Sequence, residues 1–297
     1  MYDVVVLTDD RYVDPSVGNE YIDNVLQEDQ LVLDALSHCG LKCKKVSWSD
    51  PNFNWRETSY ALFRTTWDYA ERFTAFSDWL LKVSTLTKLI NPYDLLVWNL
   101  DKHYLQDLNR RGVNVIETYF IEFGDQRSLK EIHDELGWER TVLKPAISAA
   151  AKDTFELHSN DLSTHEDHFK SLIKNEAMML QPFQESVVDR GELSLMVIGG
   201  AYTHAVLKIA KPGDFRVQDD FGGTVHPYEP TKEEIELAIS SVKACDPEPL
   251  YARVDIVNDN AGNPAISELE LVEPELWFRR NEEAAMKLAL AIKTSLF

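Results

Sequence analysis

The run YARVDIVNDNAGNPAISELELVEPELWF, residues 251–278, constrains the fold most. Apolar and charged side chains alternate on both sides of NDNAGN, the period of two that a β-hairpin with one buried face requires. With the turn centred between Ala261 and Gly262, Asp255 faces Glu268, Arg253 faces Glu270, and all four side chains emerge from one face. Like charges opposed in a ladder repel, so this register calls for a compensating cation. The carboxylates of Asp255, Glu268 and Glu270 are hard oxygen donors of the kind Mg²⁺ takes, with water and substrate phosphates completing its shell. The competing reading is a solvated outer face of the sheet.

The rest of the chain says what such a hairpin is attached to. YDVVVLTDD has the continuous apolar run of a buried parallel strand and ends in acids. An amphipathic helix is expected from Asn24 to Cys39, stopped by Gly40, followed by the strand LKCKKVSW. YALFRTTWDY then reads as a further strand, with a helix from Phe73 to Val83. Residues 1–97 are therefore expected to form an open α/β domain, with ligands beyond the carboxyl ends of its strands.

After NPYDLLVW the pattern changes to strands alternating with hairpins and helices, which places a second unit at 98–297, divided near 182 and 183. Asn99 is a candidate N-cap for LDKHYLQDLNRRG, putting Lys102 in the first turn, where the macrodipole disfavours a cation unless an anion lies nearby. ERTVLKP and MMLQPF read as strands with an acid-rich helix between them, and ELSLMVIGGAYTHAVLKIA as a hairpin turning at Gly199 and Gly200. Thr231 and Glu234 form a capping box, and a last amphipathic helix runs from Asn281 to about Thr294. His165 and His168 have helical spacing for Zn²⁺ but no partner ligands in the sequence, so they read as surface residues.

Composition narrows the partners. A net charge of −20 argues against binding nucleic acid or a membrane surface, so an anionic ligand must meet a local basic site. Cys39, Cys43 and Cys245 cannot make a disulfide framework, which favours a reducing, cytoplasmic setting. The apolar run of MYDVVVLTDD is too short for a signal segment or a membrane span.

Taken in order, RTTWDY, NLDKHYL, VLKP, LQPF with GELS, RVDIV and ELELVEP resemble the ATP-grasp ligases, particularly their glutathione-synthetase-like and cycloserine-forming branch. The resemblance implies two subdomains gripping ATP and Mg²⁺, with Mn²⁺ as a substitute, behind the N-terminal α/β domain. It implies that Lys102 and Lys144 neutralise phosphates, that backbone groups of Gln181 and Phe183 read adenine beside Pro182, and that Glu185 or Glu192 holds the ribose. Lys208 and Arg216 would reach the γ-phosphate, Arg253 would stabilise an oxyanion, and Asp255, Glu268 and Glu270 would hold metal, Glu270 standing where many members have Asn.

The phosphate-covering loop KPAISAAAKDT departs from the family by lacking glycine at 146–151. The implied reaction phosphorylates a small carboxylate, which an amine then attacks; a cyclising ligase and a non-catalytic nucleotide-binding regulator are the alternatives. Asp9, Asp10, Arg64, Thr65, Trp67 and Asp68, at strand exits of the N-terminal domain, are candidates for framing the substrate, Arg64 by a bidentate clamp on a carboxylate. A homodimer is a candidate assembly.

Overall fold

The computed structural model describes residues 1–148, 153–217 and 222–297. Strands β1 (Tyr2–Thr8), β2 (Cys43–Ser47), β3 (Thr58–Thr65) and β4 (Lys88–Ile90) form a parallel sheet in the order β2-β1-β3-β4. Val4, Val5, Val6 and Leu7 are wholly buried, as a strand covered on both faces demands. Helix α1 (Glu20–His38) begins earlier than the apolar spacing suggests, because the Asn19 side chain accepts from the Ile22 N–H and caps it. Gly40, at φ +77°, supplies the left-handed residue that ends it. Helix α2 (Phe73–Ser84) covers the other face.

Helices α3 (Tyr93–Leu100) and α4 (Tyr104–Arg110) lead out of this layer, and the boundary expected at residue 97 falls inside α3. Asn99 is not an N-cap. It lies in the last turn of α3, where its amide donates to the Leu269 carbonyl and accepts from the Leu271 N–H, both at 2.8 Å. Lys102 consequently precedes α4 instead of sitting in a first turn, so the helix dipole does not explain it.

Two antiparallel sheets follow. The smaller contains β5 (Tyr119–Ile121), β6 (Arg140–Pro145), β7 (Phe155–His158) and β8 (Met178–Pro182) in the order β5-β8-β6-β7, with α5 (Leu129–Leu136) and α6 (Glu166–Leu172) packed on it. After the short helix α7 (Ser186–Asp189), the larger sheet has β9 (Glu192–Ile198), β10 (Ala201–Ile209), β11 (Thr224–Pro227), β12 (Tyr251–Asn258) and β13 (Pro264–Glu270) in the order β11-β10-β9-β12-β13. The Thr231–Glu234 capping box starts α8 (Lys232–Lys243).

The final helix α9 (Glu282–Leu296) returns to the beginning of the chain. Leu288, Ala289 and Ile292 share one apolar core with Val32 and Leu36 of α1 and Val4 and Val6 of β1. Glu28 of α1 is buried without having looked like a core residue, because it accepts from the Phe278 and Arg279 N–H groups and pairs with the Arg279 guanidinium at 3.0 Å. The N-terminal sheet is thus fastened to the segment that follows β13. No helix among the described residues is long and apolar enough to cross a membrane.

Candidate active site

The hairpin register is as the alternation requires where it matters: Arg253 pairs with Glu270 and Asp255 with Glu268. Beyond Asp255 the register shifts, Ile256 pairing with Ile266, so Ser267 is the extra residue of a bulge. Ser267 uses its position to donate to Glu192 at 2.8 Å.

The compensating cations are in the protein. Arg253 donates to Asp255 at 2.8 Å and Glu270 at 2.5 Å, Lys208 lies 3.1 Å from Asp255 and 2.5 Å from Glu192, and Lys102 lies 3.2 Å from Glu268. The buried Ser194 hydroxyl, which the sequence reading missed, donates to Asp255 at 2.5 Å. Burial opposes ionisation of Asp255, but Arg253 and Lys208 hold it well below the usual carboxylate range. Glu268 is likewise lowered against its burial by Lys102 and Lys144. Glu270 goes the other way, pushed up to about 7 by its recessed position and by Glu268 and Asp255, with Arg253 pulling against them.

Lys144 differs from these cations. Among the described residues its ammonium has no hydrogen-bonding or ion-pair partner, and burial lowers its pKa, with Lys102 adding repulsion and Glu268 opposing it. Lys102 also donates to the Ser148 carbonyl at 2.8 Å. Of the glycine-free loop, residues 149–151 lie outside the described residues.

All of these groups except the buried Ser194 line one cavity of about 510 Å³, within the usual size of a small-molecule site. Its apolar wall includes Ile116, Val142, Val257 and Leu269, with Gln181, Pro182, Phe183 and Gln184 along one side. The Phe183 backbone is already engaged: its N–H donates to the Arg140 carbonyl and its carbonyl accepts from Asn260, both at 2.9 Å. Phe183 therefore offers its ring, fixed by the Arg140 guanidinium 3.5 Å from its centroid, instead of a base-reading backbone donor. Glu185 is outside the cavity, mostly exposed and clamped to Arg140, whereas Glu192 lines it. Arg216 also lines it, with Asp214 at 2.8 Å.

The N-terminal domain closes the other end with Arg11, Tyr12, Tyr21, Trp67, Tyr69 and Glu71, joined by Glu273 and Glu275 from the segment after β13. Of the strand-exit candidates only Trp67 is there. Asp9 is buried and holds Arg11 through both oxygens, while Arg64 is buried over the Phe278 ring and donates to the Pro274 carbonyl. Thr65 bonds Thr8 and Asp29 in the interior. These residues build the domain, and the cavity is met by residues two to six positions further on, in or just after the short 3₁₀ segments Asp10–Tyr12 and Trp67–Ala70. Glu273 is pushed up to about 8 by burial and the charge of Glu270, with a hydrogen bond to Tyr69 opposing.

As a donor set, Asp255, Glu268 and Glu270 suit a hard divalent ion chemically. Among the described residues, however, no three acid, histidine or cysteine side chains are gathered into a ready cage. His165 and His168 belong to no such group among the described residues.

Comparison with known proteins gives a consistent result. Residues 4–91 match the N-terminal domain of D-cycloserine synthetase DcsG, and residues 146–273 match the RimK-like ATP-grasp domain. The cycloserine biosynthesis protein DcsG of Streptomyces lavendulae is 30% identical, over 89% of this chain and 92% of that protein. The crystal structure of D-cycloserine synthetase DcsG superposes with a TM-score of 0.85 at 27% identity, covering 99% of both chains. The D-alanine–D-alanine ligase of Bacillus anthracis shares the fold, with a TM-score of 0.68 at 14% identity over 100% of this chain and 98% of that one. So does the ATP-grasp ligase PsnB complexed with a precursor variant, Mg and ADP, with a TM-score of 0.67 at 15% identity over 99% of both.

Proposed function

The chain belongs to the ATP-grasp ligases, and from that premise we propose that its cavity activates the carboxylate of a small molecule with ATP and joins it to a nitrogen nucleophile. The observation that carries this reading is the meeting of Lys102, Lys144 and Lys208 with the hairpin carboxylates in one cavity. Members of the family use ATP and Mg²⁺; when bound, the ion neutralises charge on the phosphoryl oxygens.

The residues that would hold it are Asp255, Glu268 and Glu270, with Mn²⁺ an acceptable substitute for oxygen donors. Lys144, uncommitted among the described residues, is the cation readiest to meet a phosphate. Lys102, Lys208 and Arg216 add charge around the same phosphates, and the base would lie between the apolar wall and the segment from Gln181 to Gln184.

The substrate carboxylate attacks the γ-phosphorus, ADP leaves, and the resulting acyl phosphate is attacked by nitrogen with release of phosphate. Arg253, in the cavity wall beside Asp255 and Glu270, would stabilise the oxyanion of that second step. Catalysis by positioning and charge needs no side-chain nucleophile.

Likeness to a cycloserine synthetase favours a second form of the same chemistry, in which the attacking nitrogen belongs to the activated molecule and the product is a ring. Incubation with MgATP and a panel of carboxylates, with and without added amines and with hydroxylamine as a trap, tests both. Hydroxamate and ADP that appear only with a carboxylate are expected. ADP formation without an added amine marks the cyclising form, and no ADP or hydroxamate with any carboxylate refutes ligation. Glu268→Gln should lower turnover about 100-fold or more while leaving the circular-dichroism spectrum unchanged; wild-type rates would remove Glu268 from the site.

A further inference from the structure

The guanidinium of Arg253 is committed along one edge. Its Nε donates to Asp255 at 3.0 Å, and Nη2 donates to Asp255 at 2.8 Å and to Glu270 at 2.5 Å, which leaves Nη1 without a partner among the described residues. Two carboxylates on one edge fix where the group sits but let it tilt about that edge. The Trp277 ring opposes the tilt. Its centroid lies 5.4 Å from the Arg253 Cζ, under the face of the guanidinium and within the range of a cation–π contact. Both residues line the cavity.

Trp277 holds this place against its own preferences. Its backbone is left-handed, with φ +45°, a region that bulky side chains avoid. Its indole N–H is buried and donates to nothing among the described residues, which is costly for a strong donor. The conformation is imposed from outside. Arg64 donates to the Pro274 carbonyl and His204 to the Leu276 carbonyl on one side of the residue, while Glu28 of α1 accepts from the Phe278 and Arg279 N–H groups on the other. Strain that the surroundings over-determine is characteristic of a site whose geometry is used.

We propose that Trp277 is a positioning residue for Arg253: its indole face holds the guanidinium in the plane that keeps Nη1 turned to the cavity, ready for the oxyanion formed when nitrogen attacks the acyl phosphate. This rests on the ligase reading and adds to it a residue that acts on the second step through Arg253. A donor already in place needs no reorganisation at the moment of reaction, whereas a guanidinium free to tilt must be reoriented at every turnover. The role calls for a flat ring and not for the indole N–H. Phenylalanine should therefore serve, and an aliphatic side chain should not.

Two measurements on the full chain test the assignment. In protein labelled with ¹⁵N at arginine, Arg253→Lys identifies the Arg253 Nε–H resonance by its loss. That N–H should exchange with water at least about tenfold faster in Trp277→Leu than in the unaltered protein, and stay within about threefold in Trp277→Phe. Hydroxamate formation is then followed with MgATP and hydroxylamine, using acetate, 3-hydroxypropionate, alanine and serine as carboxylates. Trp277→Leu should lower kcat about thirtyfold with the KM for ATP within about twofold, and Trp277→Phe should keep at least about a third of the rate. Added to Arg253→Lys, Trp277→Leu should cost no more than about twofold further. MgADP affinity should stay within about twofold in each variant.

Unchanged exchange in Trp277→Leu, an undiminished loss of rate in the Arg253→Lys background, or loss of MgADP binding in Trp277→Leu overturns the proposal. An unaltered protein that makes no hydroxamate from any of these acids counts instead against the ligase reading, while the exchange comparison still decides the positioning.

Discussion

At one end of the cavity Arg253, Lys208 and Lys102 lower the carboxyl groups of Asp255 and Glu268, whereas at the other burial and the charge of Glu270 push Glu273 up to about 8. These acids sit on the same hairpin or just past it, and each is recessed from water. What separates them is the company supplied by other elements: β10 and the segment before α4 bring ammonium groups to the first pair, while the third is raised by burial and by the charge of Glu270 against a hydrogen bond from Tyr69 of the N-terminal domain. A carboxyl group's state here is decided by long-range topology and not by its local sequence.

The most damaging way to probe that difference is to remove one charge from the paired end. Asp255→Asn removes the carboxylate that Arg253 and Lys208 share, leaving them Glu270 and Glu192 respectively, and should cost about 3 kcal/mol of stability, read from urea unfolding. A loss below about 1 kcal/mol would show that the network is not the buried unit described.

Lys144→Met sharpens the contrast inside the same end. Having no partner among the described residues, Lys144 should be removable with less than about 1 kcal/mol of change in stability, while affinity for a non-hydrolysable ATP analogue drops about tenfold. A fall in stability as large as that of Asp255→Asn would mean that Lys144 is structural.

A pH-dependent effect belongs to the other end. Glu273 has its pKa raised from an ordinary 4.5 to about 8, so between those values the folded state binds more protons than the unfolded one. Its stabilising contribution is complete below the lower value and is lost as pH rises through the upper. Glu273→Gln should thus gain steadily in stability relative to the unaltered protein as pH rises from about 5 to about 8. A constant difference across that range would mean Glu273 is already ionised.

The hairpin was legible because its register follows from period-two alternation and a glycine turn, with Gly262 at φ +87°. Its bulge was not, since Ser267 looks no different from any polar strand residue. Asn99 was misread because an amide that suits a helix cap is equally able to bridge backbone groups of a distant strand. Asp9, Arg64 and Thr65 looked like ligand residues because strand exits often carry them, yet the side chains point into the domain. Tyr12 and Glu71, just beyond, carried the weaker signal and hold the wall. Glu273 lay past the last paired residue of β13, where alternation no longer says which way a side chain faces.

The amides that brace β13 have an effect beyond the cavity. Asn91 and Asn99 take up the Leu271 and Leu269 carbonyls, Tyr104 accepts from the Leu269 N–H, and the Ile266 N–H and carbonyl are both taken by residues 114–116. An outermost strand usually exposes a row of unsatisfied backbone groups on which a neighbouring molecule can add its own strand. Here that rim is occupied, so two copies of this chain cannot join by extending the large sheet past its acidic strand, and aggregation by that route is closed.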